Sequence, residues 1–406
     1  LQVLGFRVRK FHLNEGHASL LTLVLLNHPH LSVEGSLEEG YSQHIRSVQE
    51  KCVFTTHTPV ESGHDRFSYD LVSQVMGDVV PIDLLKKLGG EDEFNMTLLA
   101  LNLSHFVNGV AKKHGEVSQA MFPGFEIHSI TNGIHPFTWA SPYLIHLYDK
   151  YLPGWANEPE LLVRVDLIPD NEIQDAHAGA KAYLFQWIKE TTGAKLDLDV
   201  LTIGFARRAT AYKRANMIFT DRDRLLKIGV GKLQLVFGGK AHPNDEYGKQ
   251  MIQEIFQQAE FFGDKLKIVY LPNYNMDVAS RLIPGVDIWL NNPLRPLEAS
   301  GTSGMKAALN GVPNFSVLDG WWIEGHIEGV TGWSIGPPPT ETSTEVNHSD
   351  EDVQDLYKKL EETIIPLYYN NRQEWTKVLK NAIGKNAYYF NSHAMMRRYV
   401  TEAYLR

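Results

Sequence analysis

The residues Glu298-Ala299-Ser300-Gly301-Thr302-Ser303-Gly304-Met305-Lys306-Ala307-Ala308-Leu309-Asn310-Gly311 hold the densest chemistry in the chain. Small and hydroxyl residues lead into a short helical pattern that stops at Asn-Gly. Gly301 to Gly304 can present several backbone N–H groups at a helix start, which favours an anion there. Lys306 follows about one turn later. An anion cradle beside an amine suits an aldehyde cofactor that carries a phosphate, with the phosphate on the N–H groups and the amine joined to the aldehyde. Read by composition alone, the same string is a Gly/Ser-rich turn before a helix with a solvated lysine. A second basic cluster, Arg207, Arg208, Lys213 and Arg214, falls within eight positions; its plainer reading is a solvated basic helix start.

The elements that must position these residues alternate. Leu201–Ala206, Leu233–Gly238, Lys267–Leu271, Asp287–Asn291 and Val312–Leu318 read as short buried strands. Asn216–Ile228, Glu246–Phe262, Asp277–Leu282 and Thr302–Leu309 read as the helices between them. This alternation predicts a parallel sheet with right-handed crossovers, and such sheets bind ligands beyond the carboxyl ends of their strands. Arg207 and Arg208, Lys240, Asn273 and Tyr274, and Glu298 with Lys306 each follow one strand in turn. One pocket is therefore expected to collect cations, a carboxylate and a helix start.

The first part is less regular. Helical patterns at Ala18–His28 and Leu37–Glu50 precede a strand at Cys52–Thr56. A long helix is expected from Glu93 to Lys113, then a strand at Ile127–Thr131. Gly336–Asp352 reads as a polar loop. Helices are expected at Asp352–Tyr368, Arg372–Ile383 and Ser392–Leu405.

The 406 residues suffice for two cored domains. Net charge is −9, which argues against broad nucleic-acid binding. No apolar run reaches the roughly 18–20 residues needed to span a bilayer. Cys52, the single cysteine, excludes an intramolecular disulfide and fits a reducing, cytoplasmic compartment. Glu15 and His17 lack a third ligand at suitable spacing, so no metal is expected.

Several motifs, in order along nearly the whole chain, resemble the α-glucan phosphorylases of glycogen, starch and maltodextrin. They are the Glu298–Gly311 string, His12-Leu13-Asn14-Glu15-Gly16-His17, Thr55-Thr56-His57-Thr58-Pro59, Val107-Asn108-Gly109-Val110-Ala111, Thr131-Asn132-Gly133-Ile134, Arg207–Arg214, Gly238-Gly239-Lys240-Ala241 and Asn273-Tyr274. Ser62-Gly63-His64-Asp65-Arg66-Phe67 is similar to the short prokaryotic branch. The resemblance implies a two-lobed, GT-B-like α/β glycosyltransferase with a complete carboxy-terminal doubly wound parallel-sheet domain. The expected division is 1–140 for an incomplete amino-terminal lobe, 141–385 for the cofactor and phosphate domain, and 386–406 for a terminal helix crossing back. The family's amino-terminal Gly-rich loop has no counterpart in these residues. The expectation is a carboxy-terminal portion that is a poor catalyst alone.

The implied reaction is phosphorolysis of an α-1,4-glucan or maltodextrin by inorganic phosphate to glucose 1-phosphate, with retention, using pyridoxal 5'-phosphate. Lys306 would carry the cofactor. Arg207, Lys240, Tyr274, Thr302, Ser303 and Gly304 would surround it, and Arg208 and Lys213 would hold the substrate phosphate. His57, Asn132, Glu298, Ser300, Gly301 and Glu15 match sugar-site positions. Relatives often carry lysine at position 207, glycine at 303, asparagine at 304 and arginine at 275, so contacts at Arg207, Ser303, Gly304 and Asn275 differ. No nucleic-acid or membrane partner is implied, and a homodimer is the assembly considered for the full-length enzyme. Two other readings stay open: a nucleotide-sugar-dependent glucan synthase, and a non-catalytic fragment that binds glucan or cofactor.

Overall fold

The computed structural model describes residues 4–27, 37–77, 80–338 and 349–405. The chain divides into two compact units, one of residues 1–131 with 396–406 and the other of residues 132–395. The first therefore breaks off after Thr131, and the chain returns to it after Met395.

The first unit contains the strands β1 (Phe11–Asn14), β2 (Cys52–Thr55), β3 (Arg66–Phe67), β4 (Phe94–Asn95), β5 (Phe106–Gly109) and β6 (His128–Ser129). A parallel sheet runs β1-β2-β5-β6, and β3 pairs antiparallel with β4. Leu13, Leu23, Val48, Phe54, Leu99 and Val107 form its core. The single long helix expected over Glu93–Lys113 is not formed. Asn95 caps the helix Met96–Asn102 by accepting from the Thr97 and Leu98 amides. The chain then turns into β5, every residue of which is buried. Covered on both faces, its Phe-Val-Asn-Gly sequence shows no apolar–polar alternation, so a period of two is invisible. Residues from the end of the chain complete this unit. The Tyr399 hydroxyl meets Asn108 Nδ2 at 3.0 Å and Thr55 Oγ1 at 3.1 Å.

The second unit carries β7 (Leu201–Arg208), β8 (Leu233–Lys240), β9 (Ile268–Leu271), β10 (Ile288–Asn291), β11 (Asn314–Val317) and β12 (Gly332–Ile335). All pairings are parallel, in the order β12-β11-β10-β7-β8-β9. The expected doubly wound sheet is thus present, and the edge strand β12 extends it. The order reverses between β7 and β10, which opens a crevice beyond their carboxyl ends. The helices Glu246–Phe262 and Thr302–Leu309 have the expected bounds. The expected helix over Asn216–Ile228 is split. A 3-10 turn at Met217–Phe219 precedes the helix Arg222–Gly229, which Asp221 caps through the Arg224 amide.

The longest helix, Asp170–Thr192, was not foreseen. Its buried stripe runs Ile173, Ala176, His177, Ala180, Lys181, Leu184, Phe185 and Ile188. His177 and Lys181 interrupt the apolar pattern because both reach a buried carboxylate. Asp287 accepts from Lys181 Nζ at 2.7 Å, His177 Nε2 at 2.9 Å and the Thr202 amide at 2.8 Å. Burial alone would raise Asp287, but Lys181 and His177 outweigh it and hold it at about 2. Of the expected Gly336–Asp352 loop, residues 339–348 lie outside the described residues, and the helix Ser349–Lys359 begins within its last part. The closing helices widen into π turns at Leu360–Ile364, Ala382–Ala387 and Tyr399–Tyr404.

Candidate active site

The site begins where β7 leaves the sheet. Leu201–Ala206 is buried, and the next residues, Arg207 and Arg208, emerge at the carboxyl end. A 3-10 turn at Ala211–Lys213 brings Lys213 back beside Arg207. Both cations converge on Glu298, which follows β10. Lys213 Nζ donates to Glu298 Oε2 at 2.7 Å, and Arg207 Nη2 donates to the same oxygen. The Arg207, Lys213 and Glu298 side chains are 8%, 9% and 7% exposed, so this is a buried ion triad.

Two cations share one carboxylate, leaving positive charge in excess. Burial pushes Lys213 down to about 8, and the Arg207 charge adds to the effect. Burial alone would raise Glu298, but Arg207 and Lys213 outweigh it and hold it below 4.5. Arg207 Nη1, Thr210 Oγ1 and Ser300 Oγ are buried without a partner among the described residues. A buried donor that finds no acceptor costs about 1–3 kcal/mol, and more when charged. An anion received at Arg207 would remove that cost.

The helix Thr302–Leu309 starts after Gly301, whose φ of 83° is left-handed. No side chain caps its first amides. Trp289 Nε1 donates to Ser303 Oγ at 3.1 Å. At Gly304 a Cβ would lie 2.3 Å from Asn314 Oδ1 and 2.9 Å from Trp321, so no larger residue fits this backbone. Asn314 Nδ2 in turn donates to the Gly304 carbonyl at 2.9 Å.

Lys306 lies against the indole of Trp139, its Nζ 3.5 Å from the ring centroid. Asn310 fixes that arrangement. Its amide nitrogen donates to the Trp139 and Lys306 carbonyls, each at 2.8 Å, and its oxygen accepts from the Ser141 amide at 2.7 Å. Burial lowers Lys306 from 10.5 to about 8. The ring face opposes this, since it favours the ammonium by about 0.5–2 kcal/mol. The fall in pKa corresponds to about 3 kcal/mol, so desolvation wins. Trp139 and Asn310 were not foreseen as site residues; the only signal was their proximity to Pro136 and to the Asn-Gly stop.

The remaining candidates are spread more widely. Tyr274 is half-buried against Gly238, and desolvation pushes its hydroxyl up to about 12. Arg208 and Lys240, register partners at the ends of β7 and β8, are exposed. Neither side chain has a hydrogen bond or ion pair among the described residues. Arg214 leaves the basic cluster altogether. It donates to the Asn292 and Pro293 carbonyls at 2.8 and 2.9 Å and to Asp352 at 2.7 Å. Asn132 is half-buried beside Gly133 in the second unit.

Glu15 and His57 belong to the first unit. Glu15 has a φ of 75°, and its carboxylate accepts from the Gly16 and His57 amides at 2.9 and 2.7 Å and from Thr58 Oγ1 at 2.9 Å. It therefore fixes the loop that presents His57, whose Nε2 lies 2.5 Å from Asn14 Oδ1. Burial lowers the pKa of His57 despite the Glu15 charge. Among the described residues, no group of three or more His, Cys, Asp or Glu is placed to hold a metal ion. No helix there is long and apolar enough to cross a membrane.

The sequence of residues 36–380 matches the profile of the carbohydrate phosphorylases. The maltodextrin phosphorylase of Thermococcus litoralis is 39% identical over 438 residues, covering 100% of this chain and 52% of the relative. The glycogen phosphorylase of Aquifex aeolicus is 37% identical over 456 residues, covering 100% of this chain and 63% of the relative. The glycogen phosphorylase of Mycobacterium tuberculosis is 35% identical over 444 residues, covering 97% and 51%. The chain thus spans between 51% and 63% of the length of these relatives. Together, the motifs that flank the triad and Lys306 and the match across 36–380 place the chain in the carbohydrate phosphorylase family.

Proposed function

We propose that the chain carries the cofactor and phosphate site of a cytoplasmic, pyridoxal-phosphate-dependent enzyme. Its reaction is phosphorolysis of α-1,4-glucan to glucose 1-phosphate with retention of configuration. The observation that carries the reading is the buried Arg207–Lys213–Glu298 triad, with excess positive charge and an unpartnered Arg207 Nη1, at the crevice between β7 and β10. The names of the relatives supply the substrate class: one is a maltodextrin phosphorylase and two are glycogen phosphorylases.

Three features fit pyridoxal phosphate. Lys306 is an amine shifted toward its neutral form. The helix that carries it opens with uncapped amides suited to a phosphate. Arg207 has a buried donor to spare. When bound, the cofactor supplies a phosphate that takes part in acid–base work opposite the substrate phosphate. Thr302, Ser303, Gly304, Arg207, Lys240 and Tyr274 are the residues to hold it, with Lys306 carrying its aldehyde.

The chain's own residues then do electrostatic work. Two phosphates in a low-dielectric cleft repel by several kcal/mol unless cations offset them. Arg208, exposed and unpaired among the described residues, and Lys213 are assigned to the substrate phosphate. Glu298 keeps Lys213 and Arg207 fixed in place, so the positive charge is preorganised rather than gathered during the reaction. Asn132, Ser300 and Gly301, with Glu298, are assigned to sugar hydroxyls. In the first unit, His57 is assigned to a hydroxyl, and Glu15 acts by holding the His57 loop.

Borohydride reduction followed by peptide mapping tests the reading. The adduct is expected on Lys306. An adduct on Lys240 or Lys213 with Lys306 unmodified would refute it.

A further inference from the structure

We infer that Asp319 is a positioning residue for Glu298, acting through the Glu298–Gly301 turn without touching substrate. Asp319 lies just beyond β11 and is 2% exposed. One carboxylate oxygen accepts from the Glu298 amide at 2.8 Å, and the other from the Gly320 amide at 2.9 Å. The Ser300 carbonyl accepts from the Trp321 amide at 2.9 Å. Two segments, 298–300 and 319–321, are therefore clamped by two hydrogen bonds, and the bond to the Gly320 amide holds the Asp319 carboxylate in place within its own segment.

The packing is as tight as the bonding. Gly320 has a φ of 54°, and a Cβ there would lie 2.5 Å from the Ser300 carbonyl oxygen and 3.1 Å from that of Glu298. The turn can approach this closely only because residue 320 is glycine. Charge argues for function over mere stability. Burial raises Asp319 to about 7, and the Glu298 charge opposes its ionisation further, against the help of the two amides and Arg295. A neutral hydrogen-bonding residue would hold a turn at less cost than a carboxylate buried beside another carboxylate. What the carboxylate adds is acceptor capacity on both oxygens, so that one side chain fixes both amides. The height of the Glu298 side chain above the sheet, and with it the triad geometry, follows from that grip.

Only the kinetic readout rests on the proposed function. Asp319→Asn keeps the size but turns one acceptor into a donor facing an amide. It is expected to lower kcat/KM for phosphorolysis by roughly ten- to hundredfold. A residue that acts through Glu298 must also couple to it. The double variant Asp319→Asn/Glu298→Gln is therefore expected to be no slower than Glu298→Gln alone. A silent Asp319→Asn, or losses that multiply in the double variant, would overturn the inference.

Hydrogen exchange provides a readout that needs no turnover. In Asp319→Asn, exchange should accelerate at the Glu298–Gly301 amides while the helix Glu246–Phe262 keeps its protection. Unchanged exchange at 298–301 would overturn the clamp even if the protein is an active phosphorylase. Confined acceleration would sustain it even if no glucose 1-phosphate is released. Should Asp319→Asn not fold, Gly320→Ala perturbs the same contact from the other side and is expected to show the same coupling to Glu298→Gln.

Discussion

Replacing Trp139 by alanine should move the titration of Lys306 upward. The indole covers the amine, with Nζ 3.5 Å from the ring centroid, and burial is what lowers this lysine to about 8. At pH 7 an amine with that pKa is neutral in about one molecule in ten, against about one in three thousand at the ordinary value. Cover by Trp139 and its surroundings thus raises the reactive fraction by roughly 300-fold. Removing the ring readmits water and forfeits at most about 2 kcal/mol of attraction between ring and ammonium. Reactivity of Lys306 at pH 7 should fall by roughly tenfold or more. Competitive labelling of the cofactor-free protein with acetic anhydride between pH 6 and 11, quantified by peptide mass spectrometry, measures it. The wild-type inflection is expected near 8, and that of Trp139→Ala closer to 10.5. An inflection near 10.5 in the wild type, or an unchanged one in the variant, would refute the reasoning.

Replacing Arg208 or Lys213 with alanine should reduce kcat/KM for phosphate by about 2–4 kcal/mol with little change in glucan binding; steady-state kinetics with each substrate varied reads this, and unaltered phosphate kinetics would remove them from the site. Asp287→Asn strips the buried Lys181 of its counter-charge and should cost about 3–5 kcal/mol of stability. A denaturant titration showing less than about 1 kcal/mol would mean that the pair is not the anchor described. Glu328 accepts from His326, Ser334 and Lys359, and despite burial these partners bring it down to about 2 from 4.5. Because the folded pKa is the lower one, its stabilising contribution is complete above 4.5 and disappears as pH falls toward 2. Glu328→Gln should flatten the acid limb of the stability profile in that window, and an identical limb would rule the contribution out.

Much of the second unit was legible because its strands are short apolar runs and its helices lie between them. Glu246–Phe262 and Thr302–Leu309 carry their own stop signals, Gly263 and Asn310. The Asp170–Thr192 helix escaped because its buried face includes His177 and Lys181. That makes sense only once Asp287, more than a hundred positions away, is placed beside them. The Glu93–Lys113 region misled for a different reason, since β5 is buried along its whole length and its residues show no alternation of apolar and polar types. At the site, the residue types were readable but not their pairings. Glu298 could be seen as a sugar ligand. Its grip on Arg207 and Lys213 could not, nor could the loss of Arg214 to Asp352. Asp319 and Trp139 carry no motif of their own, and their roles follow from contacts across the fold.

The most direct test of the central claim is release of glucose 1-phosphate from maltodextrin and inorganic phosphate, comparing the pyridoxal-phosphate-loaded protein with its Lys306→Ala variant. The account predicts phosphate-dependent release of glucose 1-phosphate in the wild type, slow for this chain by itself, and none in the variant. Glucose 1-phosphate release that survives in Lys306→Ala, or glucan extension from a nucleotide sugar with no phosphorolysis, would contradict it.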